Sequence, residues 1–416
     1  MATKRIAIEQ LVPGMYVFEM DVPWYRTPFL LHKQLIDDLQ TIELMKQHGV
    51  RMVTIDTSKG GDLLSTTTQS SVNAQPPVSN VTPPPEPQGE QTTERTIGGQ
   101  QAVVIYAQAQ EAVERIFDDL ERGIPPSPEV TKTTVSNVLE RVLNDRAAMA
   151  TQLAIQKIKQ FDRSLTAHAL DTCVLSLIVA VESELDQPMQ ELIGMGALLH
   201  DAGYVRLPRN LVRKRDECTG QDKTLLEQHS KLGVALLSQH PGMHEDVLRI
   251  VREHHERADG SGFPAGLSND QISRLAQIVG IADFYDGMVS RRGTRPTMLP
   301  HDAVRQLFLA GERGQFEKSL VEIMIRSIGV YPVGSLVRLN TGEQAIVVGV
   351  NPQQRLKPLI KVTTDPQGGC YPTPIEVDLA TPSPDHRVRS VLRVLDPTRE
   401  RINIGLHLDT TLSRAA

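Results

Sequence analysis

Seven of the chain's twelve histidines fall between residues 168 and 255. Imidazole nitrogens and carboxylate oxygens together suit iron, manganese, zinc or nickel, so the places where they interrupt apolar helices are where chemistry is sought first. His200–Asp201 ends one apolar run (Leu192, Ile193, Met195, Leu198, Leu199), and His254–His255 ends another (Val247, Leu248, Ile250, Val251). His168 opens a helix carrying Leu170, Val174, Leu177 and Ile178. His229 sits among Leu225, Leu226, Leu232 and Leu236, and Asp283 lies in an apolar helix from Leu275 to Met288.

Dipeptides alone decide nothing. Roughly one His-Asp pair is expected by chance in this composition, and a second, His301–Asp302, follows Pro300 at a helix start. There Asp302 reads as ordinary first-turn chemistry. The combination carries more weight. Several helices each offer one or two ligating groups at positions otherwise apolar, where an unpaired carboxylate would be costly to bury. A shared metal centre satisfies them all at once; the competing reading is a set of structural histidines in a helical core. His240 and His244, which flank Pro241–Gly242, read as surface residues outside the set.

The elements that must position these groups run from about Leu165 to Ile328, a helical stretch broken by the loop Asp259–Gly266. Ahead of it, Ala102–Arg122 and Val130–Gln160 have amphipathic periodicity. Their apolar stripes predict core packing, with a helical neck forming a homodimer seam as the alternative. Residues 62–100 contain two proline clusters and almost no large apolar side chain, which predicts a disordered linker. The first 61 residues read as a small α+β unit: strands at Met15–Met20 and Arg51–Ile55, a helix over Lys33–His48, and Gly49 at its C′ position. Residues 331–416 change character again, with short β-branched runs at Gly334–Leu339, Gln344–Val350 and Leu359–Val362. The expected layout is therefore 1–61 small α+β, 62–100 linker, 101–164 helical neck, 165–330 all-α metal-site domain and 331–416 β-rich unit.

Charge and composition narrow the function. A net charge of −6 argues against a chain that wraps DNA or RNA through a global basic field. A locally positive site for a small anion stays open. Cys173, Cys218 and Cys370 are scattered with no C-x-x-C spacing, as expected of reduced thiols in a cytoplasm. The first ten residues have no continuous apolar run, and Val174–Val181 is short for a bilayer, so the expectation is a cytoplasmic chain without membrane insertion.

The order H…HD…H…HH…D, with HDAGYVRLP, EQHSKLGVALL, HHERADGSGFPAGL and IADFYDGMVS, resembles the HD-GYP subfamily of the HD-domain metal-dependent phosphohydrolases. The first 60 residues also resemble a domain of unknown function common ahead of HD-GYP units. The resemblance implies an HD-type helical fold and hydrolysis of cyclic di-GMP to linear pGpG, with a further cut to GMP left open, by water activated at a His/Asp-bound dinuclear site. It implies His168, His200, Asp201, His229, His254, His255 and Asp283 as metal ligands, with the His200–Asp201 pair catalytic and Asp201 bridging. Two divalent ions per chain are implied, iron or manganese, with zinc or nickel also compatible. Five neutral imidazoles and two carboxylates around two such ions leave about +2, suited to a phosphodiester.

Three positions depart from the family pattern. Ser164 stands where some members have a glutamate that holds a third metal, which predicts two ions here. Tyr204 replaces the lysine of HD-x-G-K, and Phe263 replaces the tyrosine of GYP. Arg292, Arg295 and Lys214 fall on basic positions that the resemblance assigns to substrate, and Tyr204 and Phe263 belong to the same region. The departures leave an alternative open: a receptor that binds cyclic di-GMP or a partner protein without turnover. Partners implied are cyclic di-GMP and other signalling proteins such as diguanylate cyclase domains.

Overall fold

The computed structural model describes residues 3–21, 34–36, 39–47, 50–60, 89–159, 164–290, 297–351, 353–382, 387–400 and 402–408. They fall into two compact units, Met1–Thr93 and Glu94–Ala416.

In the first unit, β1 (Thr3–Ala7), β2 (Tyr16–Met20), β3 (Gln34–Leu35) and β4 (Met52–Asp56) form an antiparallel sheet in the order β1-β4-β2-β3, joined by helix α1 (Leu39–Gln47). Alternation along β4 sends Val53 and Ile55 inward, opposite Ile6 of β1 and Val17 of β2, and Ile42 and Met45 of α1 are buried as well. β1 was not among the expected strands, and the helix is shorter than the 33–48 its periodicity suggested because β3 takes Gln34 and Leu35. Gly49 lies outside the described residues.

The second unit starts at Glu94, within α2 (Gly89–Glu121), a helix that begins inside the segment expected to be linker. Residues 62–88 of that segment lie outside the described residues. The polar stretch from Gly89 is rich in Glu and Gln, which favour helix even without an apolar face. Next come α3 (Pro128–Asn144) and α4 (Arg146–Lys159), split at Asp145 where one continuous helix was expected. The Asp145 carboxylate accepts from Ala148 N at 2.9 Å, a cap that starts a new helix. The stripes Val113, Ile116, Phe117 and Leu120, and Val135, Val138, Leu139 and Val142, are buried within this chain, while Val103 and Ala107 are exposed.

The helical domain follows: α5 (Leu165–Glu182), α6 (Gln187–Leu199), α7 (Arg209–Arg213), α8 (Gly220–Glu227), α9 (His229–Leu237), α10 (Glu245–Glu253), α11 (Arg274–Val289), α12 (Pro300–Glu312) and α13 (Lys318–Ile328). Helix α5 is apolar on all sides, and by length and composition alone it could cross a membrane. Its residues from Ala167 to Ala180 are instead buried against α3, α6, α11 and α13, the pattern of a central core helix.

The chain ends in β5 (Leu336–Leu339), β6 (Gln344–Gly349), β7 (Leu359–Thr364), β8 (Cys370–Asp378) and β9 (Val391–Leu395), with short helices α14 (Pro397–Glu400) and α15 (Ile404–Leu408). The antiparallel sheet runs β8-β7-β6-β5-β9, so β8 and β9 add to the three expected strands. Its cluster of Val333, Leu336, Ile346, Leu395, Ile404 and Leu408 packs against Ala154 and Ile155 of α4.

Candidate metal centre

Helix ends bring the histidines together. His200 follows the last turn of α6, His229 opens α9, and His254 follows α10. In each, Nδ1 faces the carbonyl oxygen three residues earlier: Ala197 O at 2.7 Å, Leu226 O at 2.7 Å and Val251 O at 2.9 Å. A carbonyl only accepts, so Nδ1 carries the hydrogen and Nε2 is left to point inward. The imidazoles thereby also satisfy carbonyls that a helix end would leave orphaned.

Two groups of ligating atoms result. Asp201, His229, His254 and His255 form one, and His168, His200 and Asp283 the other, each group with its atoms within 4.8 Å of one another. Asp201 faces both: Oδ2 lies 3.4 Å from His200 Nε2 and 3.6 Å from His168 Nε2, and Oδ1 lies 3.5 Å from His229 Nε2 and 3.9 Å from His254 Nε2. His168 Nε2 is 3.0 Å from Asp283 Oδ1. Nε2 of His229 and of His254 stand 3.3 Å apart. Two nitrogens about 2.1 Å from one cation lie roughly 3.0–3.4 Å apart, so lone pairs that would repel each other suit a shared ion. Among the described residues His200 Nε2 is buried with no hydrogen bond of good geometry, Asp201 Oδ2 lying 3.4 Å away. The donor set therefore fits divalent metal.

Electrostatics agree with the geometry. Burial works against the charge on Asp201, yet His200, His229 and His168 hold its carboxyl well below the usual range. Asp283 is likewise held well below by His168, His255 and His200 against burial. Burial and the neighbouring imidazoles push His254 down to about 3, and burial and His254 push His255 well below its ordinary value. His200 goes the other way: burial disfavours its charge, but Asp201 and then Asp283 raise it to about 9.

The turn Ala202–Arg206 packs closely on α9, and a Cβ at Gly203 would lie 1.9 Å from His229 O. That approach carries His229 to Asp201. Tyr204, next in the turn, is nearly buried, its ring stacked on His229 at 4.2 Å, with the Arg215 guanidinium 5.7 Å from the ring centre. Phe263 lies 4.5 Å from His255, ring to ring. Its loop is pinned by Glu256, whose carboxylate accepts from Ala265 N at 2.7 Å and Leu267 N at 2.9 Å. Lys214 is exposed at the end of α7, and no described contact ties it to the cluster. Arg292 and Arg295 lie outside the described residues. Ser164 caps α5, its Oγ accepting from Ala167 N at 3.2 Å. His301 bonds Val330 O at 2.8 Å and stacks on Tyr331, away from the cluster, and Asp302 sits in the first turn of α12.

The sequence reading missed Asp286, whose Oδ2 lies 2.6 Å from His168 Nδ1. It is fully buried one turn after Asp283. A second carboxylate in the same apolar helix was the available signal.

Residues 137–320 match the HD domain family model, residues 3–130 a domain of unknown function (DUF3391), and residues 336–390 a KOW domain associated with the HD domain. The chain is 29% identical over 361 residues to the cyclic di-GMP phosphodiesterase PA4108 of Pseudomonas aeruginosa, covering 86% of this chain and 84% of that protein. It is 30% identical over 151 residues to the cyclic di-GMP phosphodiesterase response regulator RpfG of Xanthomonas campestris, covering 36% of this chain and 39% of that one. The solved structure of Bd1817 from Bdellovibrio bacteriovorus aligns with 78% of this chain and 98% of its own, at a TM-score of 0.45 and 17% identity. The helical domain is an HD domain. An HD domain preceded by DUF3391, together with relatives named as cyclic di-GMP phosphodiesterases, agrees with the resemblance of the motifs to the HD-GYP subfamily.

Proposed function

We propose that the chain hydrolyses cyclic di-GMP at the seven-residue cluster, opening one phosphodiester to give linear pGpG, with GMP the product of a second cut. The observation that carries this reading is the inward aim of the His200, His229 and His254 Nε2 atoms around Asp201. Asp201, His229, His254 and His255 would hold one divalent ion and His168, His200 and Asp283 a second, with Asp201 facing both. Such a pair, iron or manganese by the family resemblance and compatible with zinc or nickel by its donor set, would supply Lewis-acid charge and an acidified water.

The chain's own residues do the remaining work. Asp201 and Asp283 carry the only two negative charges among the seven, so the loaded site is about +2 and attracts a phosphodiester. Nδ1 bonds to backbone fix the rings of His200, His229 and His254 with Nε2 toward the cluster, so no ring need turn on loading. His255 and Asp283 keep partly exposed edges, 18% and 11% of their side chains, and Phe263 flanks His255 on that side, where substrate would enter. The capping role of Ser164 supports two ions rather than three. Relatives named as cyclic di-GMP phosphodiesterases support the substrate.

Binding without turnover is the second reading, favoured by the buried Tyr204 ring at the place where the family pattern has lysine. Metal-loaded protein incubated with cyclic di-GMP, with nucleotides separated afterwards, decides between them. Linear product supports hydrolysis; tight binding with intact cyclic nucleotide supports the receptor.

A further inference from the structure

Behind His168 lies a buried polar network that the chemistry above does not use. Asp286 Oδ2 meets His168 Nδ1 at 2.6 Å and accepts from Ser290 Oγ at 2.9 Å. Its other oxygen is paired with the ammonium of Lys157, which also contacts Asp171 Oδ2 at 3.2 Å and Ser290 Oγ at 3.1 Å. Tyr106 of α2 donates to Asp171 Oδ1. Asp171 and Asp286 are fully buried and the Lys157 side chain is 10% exposed. Two buried carboxylates around one ammonium form an assembly in which removing the cation is costly.

Lys157 comes from α4, outside the helices that carry the ligands. Ile155, two residues earlier, packs into the cluster of the C-terminal sheet. Two residues turn an α-helix by roughly 200°, so these side chains leave α4 on opposite faces. One helix is thus wedged between the sheet and the support of a ligand.

We propose that Lys157 is a positioning residue for the metal centre. Through Asp286 it fixes the ring of His168, and through α4 it makes that end of the site depend on the docking of the C-terminal β unit. This rests on the metal-centre reading above. The Lys157–Asp286–His168 chain is the outer support that orients a ligating imidazole, and loss of such support typically costs about 10–100-fold in metal affinity.

The test is titration of Mn²⁺ into demetallated full-length protein by calorimetry, with helical content followed by circular dichroism. Lys157→Met is expected to weaken one of two binding steps by about 10–100-fold and leave the other in place. Lys157→Arg, which keeps a cation, is expected to recover most of the loss. A merely structural role would weaken both steps together, and that result, or two unchanged steps, overturns the proposal. Should Lys157→Met fail to fold, Ile155→Ala decides. It leaves every charge paired, so a selective loss of the same step supports the proposal and unchanged binding overturns it. Wild-type protein that takes up no Mn²⁺ refutes the metal-centre reading itself, and the proposal with it.

Discussion

Replacing Gly203 by alanine adds one methyl group at the closest packing point behind the metal centre. The new Cβ would stand 1.9 Å from His229 O, 2.6 Å from Gly233 N and 2.7 Å from His229 C, all backbone atoms that cannot rotate away. Side chains essentially never tolerate less than 3.0 Å, so the start of α9 must retreat by about 1.1 Å, whereas ligand distances in a metal site hold to roughly ±0.2 Å. His229 is the residue displaced. Overpacking of this kind costs about 1–3 kcal/mol of stability, and a misplacement near 1 Å costs on the order of 10²-fold in rate. The assay is metal content per chain, thermal unfolding and cyclic di-GMP turnover, measured beside Gly314→Ala. Gly314, unlike Gly203, has a positive φ of 78° and nothing within 4 Å. Its alanine variant should lose about 1–2 kcal/mol from backbone strain and keep its metal. If Gly203→Ala keeps full metal content and turnover, the turn does not set the position of His229 and the packing argument fails.

Asp201→Ala should lose both ions and all turnover, since its two oxygens face different ligand groups; full metal content in the variant would reduce His200–Asp201 to a coincidence like His301–Asp302. Metal uptake should depend on pH. With His200 raised to about 9, the metal-free site carries a proton at pH 7 that a cation must displace. Uptake at that pH should eject about one proton and weaken as pH falls below 9, read from calorimetry in buffers of different ionisation enthalpy. Glu256→Ala should release the partly exposed Ala265 and Leu267 amides to water, costing about 0.5–1.5 kcal/mol for each. Faster amide exchange confined to residues 259–267 is the signature.

The ligand set was legible because imidazoles and carboxylates are conspicuous at the ends of apolar runs. Their support was not. Lys157 looks like any lysine on the polar face of an amphipathic helix, and only the fold shows that face turned toward two buried carboxylates. Asp286 hid behind Asp283, which had already accounted for the oddity of a charge in that helix. The break between α3 and α4 was missed because apolar periodicity continues across it, and the Asp145 cap is one side chain among many polar ones. Strand β8 was missed because Pro372 and Pro374 argue against a strand; an edge position tolerates them, since no neighbour requires their missing N–H groups.

The Nδ1 bonds of His200, His229 and His254 to carbonyls of their own segments have a consequence for how the protein comes by its ions. A cage whose walls are set by neighbouring backbone needs no ion to make those bonds, so loading would be exchange with the surroundings and not a step in folding. Among first-row cations such a cage ranks occupants by intrinsic affinity, which rises toward copper, whatever ion serves the reaction best. The ion found inside then records the medium in which the folded chain last equilibrated, and two preparations of one polypeptide become chemically different catalysts.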